Sequence, residues 1–269
     1  MADIVPSFIL KADRAEKHLG HLKVKIDEWA STHPYEVRTT LYRKRKAYHL
    51  RFTSNPPPEV SLIAADFVYN LRSGLDHLMS ALVPSSRRDS VYFPIYFEGV
   101  WEDPVPGEDE EVTKARGRWK SDTTKVRPEA VTILKALQPK AAGEGVVNTF
   151  RVLNVLSNTD RHQKLPVVFS ALKGIRLIYT DAQGRRHIGP VDTGEPFIDE
   201  RIAKDGAELV YPKDAVNVYI AGTPLVAIEI SEQGNIEIPE TFDRALDAYR
   251  SRTVAPLAPY VHPGPHGRP

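Results

Sequence analysis

The chain has 269 residues, of which 41% are hydrophobic and 26% charged, with a formal net charge of +1 and no cysteine. That length suits one large or two small globular domains with ample core. Disulfides, thiolate ligands and cysteine nucleophiles are excluded, and near-neutrality excludes a global field that would gather nucleic acid or anionic membrane.

The start, MADIVPSFILKADRAEKH, has no basic segment leading into a long apolar one, and no window approaches the apolar length of a membrane span. The expectation is a cytoplasmic chain with no membrane partner. Ser7 to Ala30 predicts a helix with Ile9, Ala12, Leu19, Leu22, Ile26 and Trp29 as its buried stripe. Tyr35 to Thr53 alternates β-branched and aromatic residues on both sides of RKRK, which predicts a strand pair. Pro56, Pro57 and Pro58 end it and open a helix over Val60 to Val83.

Pro84 to Arg127 reads as irregular. SVYFPIYF is apolar and suits an extended segment packed on helices, while EDPVPGEDEE and KARGRWK read as an exposed loop with acidic and basic halves. PEAVTILKALQP predicts a helix opened and closed by prolines, and VVNTFRVLNVLSN another. From Pro166 the pattern alternates: PVVFSAL, IRLIYTD, RRHIGPV, GAELVYP, VNVYIAG and LVAIEIS read as strands, with a hairpin at DAQGRR. PETFDRALDAYRSR predicts a closing helix, and the Pro-rich segment from Ala255 reads as frayed or extended. The fold class is therefore α+β. A helical domain covers 1–165 with hairpin 35–53, a β-rich domain with its helix covers 166–254, and a flexible tail covers 255–269.

The helix at Val60 to Val83 is the most informative stretch. Ile63, Phe67, Leu71, Leu75, Leu78 and Leu82 cover one side. Asp66, Asn70, Ser73 and His77 lie within roughly 60° of one another on the other, flanked by the i, i+4 pair Arg72 and Asp76. A face that only meets water usually carries Lys and Glu; this one suits contact with a helix, a subunit or a phosphate. Arg72 and His77, five residues apart, lie about 140° apart on an ideal helix, so they converge only at a cleft. A guanidinium can hold phosphate oxygens and an imidazole can move a proton, as metal-independent RNA cleavage requires. The alternative is an Arg72–Asp76 ion pair with His77 filling a polar gap.

Further on, Arg151, Asn154 and Asn158 share a helix face, and Asn158, Asp160 and His162 alternate where the helix approaches Pro166. Two mid-helix asparagines suggest a hydrogen-bonded network, and His162 would supply a second proton-transfer group; the alternative is Asn158 as C-cap and Asp160 as a turn residue. The basic run Arg43, Lys44, Arg45 and Lys46, between Tyr42 and Tyr48, suits a single-stranded backbone or, alternatively, a charged hairpin tip. Asp66, His77, Asp160 and His162 could ligate a metal, but no HxxxH or HxH pair lies among them and the two histidines of the Pro-rich tail are not a plausible site, so no metal or cofactor is expected.

NLRSGLDHL at Asn70 to Leu78, FPI at Phe93 to Ile95, LQP at Leu137 to Pro139 and LNVLSNTDRHQKL at Leu153 to Leu165 together resemble an uncharacterised bacterial family, common in actinobacteria, with NLRSALDHL-like and LSNxDKHR-like helices. A looser likeness is to HEPN domains, helical bundles in which R-x4–6-H sits on one helix near a dimer interface. Many are metal-independent ribonucleases in toxin or defence systems; others are inactive binding or scaffold modules. The matching positions are Arg72 and His77, but Ser73 stands where active members carry Asn, Asp or His. The resemblance implies a metal-independent endoribonuclease in a defence or toxin-like role, with Arg72 on phosphate and His77 as a proton-transfer group; the residue pattern itself adds His162 as a second such group and Asn70, Asp76, Asn154, Asn158 and Asp160 in support. RNA guided by Arg43 to Lys46 and a homodimer are the expected partners. The alternative is a non-catalytic binding or dimerisation module in which the same polar residues form a structural network. A metal-dependent hydrolase is a weaker third class.

Overall fold

The computed structural model describes residues 5–42, 45–96, 99–104, 106–139, 149–162, 164–190, 202–209, 211, 215–230 and 234–262. It divides into two compact units: Met1–Gly20, Ile63–Lys164 and Glu240–Pro269 make the first, His21–Leu62 and Leu165–Pro239 the second. The architecture is α+β, with helices at both ends of the chain and two antiparallel sheets. Among the described residues no helix is long and apolar enough to cross a membrane.

Helix α1 spans Ser7–Ala30, the predicted bounds. Its buried stripe is Phe8, Ala12, Ala15, Leu19, Leu22, Ile26 and Trp29, at alternating steps of four and three. Phe8 and Ala15 thus hold places in the stripe, while Ile9 is half-buried. Helix α2 spans Pro58–Ala81, with Pro at its first position and Glu59 in its first turn. The expected apolar residues Ile63, Phe67, Leu71, Leu75 and Leu78 on it are all buried, as is Leu82 just past its end. Each such burial stabilises by about 1.5–3 kcal/mol.

In the first unit, the stretch expected to be irregular contains a 3₁₀ turn at Ser85–Ser90 and a helix, α3, over Glu110–Thr123. Of the stretches read as a loop, the acidic one runs into the start of this helix at Glu110 and Glu111, and the basic one, KARGRWK, lies within it. Asp109 caps it, accepting from the Glu111 N–H at 2.7 Å. Glu110 and Glu111 sit in the first turn and Lys120 in the last, complementing the helix dipole. Helices α4 (Pro128–Ala136) and α5 (Thr149–His162) follow. Helix α5 runs through Asn158 and Asp160 rather than stopping at them. Helix α6 (Glu240–Asp247) continues into a wider π-helical turn at Ala248–Val254 and then α7 (Ala255–Leu257). Phe242 stacks on Phe67 at 4.3 Å between ring centres. The segment from Ala255, expected to be frayed, stays helical to Tyr260 because Leu257 is fully buried.

The second unit holds both sheets. β1 (Tyr35–Tyr42) and β2 (Arg45–Phe52) form the predicted hairpin, in register from Tyr35↔Phe52 to Tyr42↔Arg45. Two strands expected as separate merge into β3 (Val167–Thr180), and two more into a long strand at Val216–Ile230. Between them lie β4 (Arg186–Pro190), β5 (Ile202–Ala203) and β6 (Glu208–Leu209), so the long strand is β7; β8 (Gly234–Ile238) follows it and was not foreseen. The order is β4-β3-β7-β8, with β5 also on β3. β6 leaves that sheet to pair with β2 at Tyr48↔Leu209, which places the hairpin among the β-rich segments of the second unit. Phe52 stacks on Phe169 at 3.7 Å, and Trp29 meets Phe169 edge-on at 5.1 Å. The DAQGRR turn is organised by buried Asp181, which accepts from the backbone of Gln183 and Arg185 and contacts the side chains of Arg185 and His187. Those contacts, led by His187, hold its carboxyl far below the usual carboxylate range.

Candidate functional site

The polar flank of α2 is organised around an extended segment, Val91 to Tyr96, which has backbone groups but no ladder to satisfy them. Side chains from three helical regions do so. The Asp76 carboxylate accepts from the Phe93 N–H at 2.9 Å, and Arg72 donates from Nη2 to the Phe93 carbonyl at 3.2 Å. Arg72 and Asp76 also pair with each other at 3.2 Å. Gln138, just past α4, accepts from the Tyr96 N–H at 2.9 Å and donates to the carbonyls of Pro94 and Leu134. Asp122 of α3 accepts from the Tyr92 N–H. The motifs NLRSGLDHL, FPI and LQP, scattered along the sequence, thus meet in one network.

Beside it lies a cavity of about 270 Å³, lined by Arg72, Tyr92 to Tyr96, Arg118, Ser121, Asp122 and Asn154. Burial raises the Asp122 carboxyl above its ordinary value, helped by Asp76 and opposed by the Tyr92 N–H, Arg87 and Arg118. Burial, with the Asp122 charge, pushes the Tyr96 hydroxyl up to about 12, so it stays a neutral donor. Asn154, half-buried on α5, makes no hydrogen bond among the described residues, and neither does Arg118 at the rim.

His77 lies elsewhere. It is exposed, its Nδ1 2.8 Å from the Ser7 hydroxyl, and it does not line the cavity. The single stripe of Asp66, Asn70, Ser73 and His77 does not act as one group. Asn70 is buried and donates back to the Asp66 carbonyl at 2.7 Å, whereas the Asp66 side chain is 61% exposed, 3.8 Å from His18. Of the second constellation, Asn154 reaches the cavity, Asn158 is exposed and Asp160 is half-buried. The side chain of His162, the last residue of α5, lies outside the described residues, as do Arg43, Lys44 and the Arg45 side chain. Lys46 is exposed on β2.

The residues not anticipated are Gln138, Asp122, Tyr92, Tyr96 and Arg118. Gln138, between Leu137 and Pro139 in LQP, was the nearest signal; nothing local marks the others. A second, larger and more open cavity of about 450 Å³ lies in the other unit, lined by Phe52 to Asn55, Phe169, Ser170, Lys204 and Asp205. Among the described residues, no group of three or more His, Asp or Glu could hold a metal ion. No family model, no curated protein and no solved structure matches the chain.

Proposed function

We propose that the chain is a non-catalytic binding module whose polar helix faces form a structural network. One observation carries this reading: Arg72 and Asp76 are both committed to the backbone of Phe93, with the Arg72 side chain only 14% exposed. A guanidinium so held has a structural role that does not need a phosphate. The alternative, a metal-independent endoribonuclease of HEPN type, is favoured by the solvent exposure of His77. In that case a phosphodiester would have to reach an imidazole lying outside the cavity that Arg72 lines. RNA and a second copy of the chain are the proposed partners, Lys46 being an exposed cation on the hairpin, and a cytoplasmic location belongs to the same reading.

The test is incubation of the purified chain with total RNA in EDTA, beside His77→Ala. The expected result is no cleavage above the buffer control by either protein. Cleavage that persists in EDTA and vanishes in a folded His77→Ala variant would replace this reading with the ribonuclease one. Cleavage abolished by EDTA and restored by a single divalent ion would point to the hydrolase class.

A further inference from the structure

We infer that the cavity beside Arg72 binds a compact organic anion with a planar, hydrogen-bonding part, of the class of a nucleoside monophosphate or an aromatic carboxylate. The inference rests on the binding-module reading and names its ligand. At about 270 Å³ the cavity falls just below the usual range for small-molecule sites, which suits one small ligand and not a strand.

The lining separates into groups that hold the protein together and groups that do not. Arg72 and Asp122 hold the backbone of Phe93 and Tyr92. Asn154 and Arg118 make no hydrogen bond among the described residues, Arg118 lying only in the field of Asp122 and Tyr96. A mid-helix Asn is unfavourable by about half a kcal/mol or more against Ala, and it is helped by a partner for its amide. Half-buried at the cavity wall, that amide offers one donor and one acceptor side by side, which matches the edge of a nucleobase or a ring bearing oxygen substituents. Arg118, exposed at the mouth, provides a planar fork suited to phosphate or carboxylate. Tyr92, a lining residue 64% exposed, supplies an aromatic ring suited to stacking. Tyr96, also a lining residue, carries a neutral hydroxyl donor.

Charge does not oppose the same class. Among the lining residues Arg72, already paired with Asp76, and Arg118 accompany the single carboxyl of Asp122. That carboxyl is held by the Tyr92 N–H and lies in the field of Arg87, so its repulsion toward an incoming anion is offset.

The experiment titrates the full-length chain by calorimetry with AMP, UMP, 4-hydroxybenzoate and inorganic phosphate, following tryptophan emission in parallel. Trp119 packs edge-on against Tyr96 at 6.3 Å and contacts Trp101, so occupancy reaches both indoles. The expected result is saturable binding of at least one planar anion, at least about tenfold tighter than phosphate alone. Arg118→Ala should weaken it by about ten- to a hundredfold, the loss of a charge-assisted pair, without moving the melting temperature, because Arg118 is exposed. Asn154→Leu should weaken it as well. Binding by the nucleotides alone assigns the anion to phosphate, and binding by the benzoate alone to carboxylate. No saturable binding of any planar anion in the millimolar range, or affinity indifferent to both substitutions, overturns the inference. RNA cleavage by the wild-type chain would instead remove the reading beneath it, and the two failures are read in separate assays.

Discussion

Gly74 sits in the middle of α2, where glycine costs about 1 kcal/mol against alanine. Packing explains its presence. A Cβ at that position would lie 2.6 Å from the Tyr249 hydroxyl and 3.2 Å from the Lys11 Cβ. The tyrosine cannot easily withdraw, because it is 1% exposed and donates to the Phe8 carbonyl at 2.8 Å. Gly74→Ala should therefore destabilise by about 1–3 kcal/mol, the usual cost of overpacking, instead of gaining from the better helix former. Tyr249→Phe removes the nearest atom of the clash while leaving Cζ at 3.1 Å. In that background Gly74→Ala should cost measurably less than in the wild type. A denaturant double-mutant cycle checks this, and strict additivity would show that the hydroxyl is not what the glycine makes room for.

At the scale of elements, the Val91 to Tyr96 segment shows how a strand-like stretch without a sheet is held. Its N–H and carbonyl groups are met by Asp76, Arg72, Asp122 and Gln138. Gln138, 1% exposed, is the most sensitive of these. Gln138→Leu leaves the Tyr96 N–H and the Pro94 carbonyl without partners and should cost about 1–3 kcal/mol. Gln138→Glu keeps an acceptor for Tyr96 but loses the donation to Pro94 and buries a carboxylate. Burial raises that carboxyl's folded pKa above its unfolded value, so the penalty is present above the folded pKa and relieved as pH falls below the unfolded one. Thermal unfolding at pH 7 and pH 4 should show Gln138→Glu recovering toward the wild type on acidification, with Gln138→Leu unchanged by it.

The same contrast explains what could be read in advance. Helices α1 and α2 were legible because each carries a continuous apolar stripe at steps of three and four. Helix α3 was not, because only Arg116 and Trp119 are buried along it. Arg116 is placed there by an ion pair with Glu108 and a bond to the Val100 carbonyl, neither visible in a periodicity. β3 looked like two strands because Gly174, at φ 65°, interrupts the alternation and the register shifts from Lys173 to Arg176. Facing that irregularity is Gly222, where a Cβ would come within 3.2 Å of the Lys173 carbonyl. In the site, the Arg72–Asp76 spacing was readable but its target was not: Phe93 and Gln138 lie too far along the chain for local spacing to show the contact. His77 followed the geometry of an ideal helix, yet helical phase alone does not say which side chains share a cavity.

At the scale of the whole chain, the first unit is assembled from both of its ends. Phe8 comes from the first helix and Phe67 from α2, while Phe242, Tyr249 and Leu257 come from the last 30 residues. Composition alone suggested that everything beyond Val254 is peripheral, since proline recurs there. Proline stands at the second position of α7, directly after the π-helical turn, whose helical bonding reaches the Ala255 N–H through the Arg250 carbonyl. Beyond α7, the His262 N–H reaches the Ala81 carbonyl at the end of α2 at 2.8 Å, satisfying one of the acceptors a helix terminus leaves open. A chain ending at Val254 loses both this bond and Leu257, which is fully buried. It should be less stable than a chain ending at His262 by about 2–5 kcal/mol, the range for removing a large apolar side chain from a core. The loss should appear as a lower denaturation midpoint with a single transition. Equal midpoints for the two chains would mean that Leu257 contributes little to the core and that the composition-based reading of the tail describes it better than its burial does.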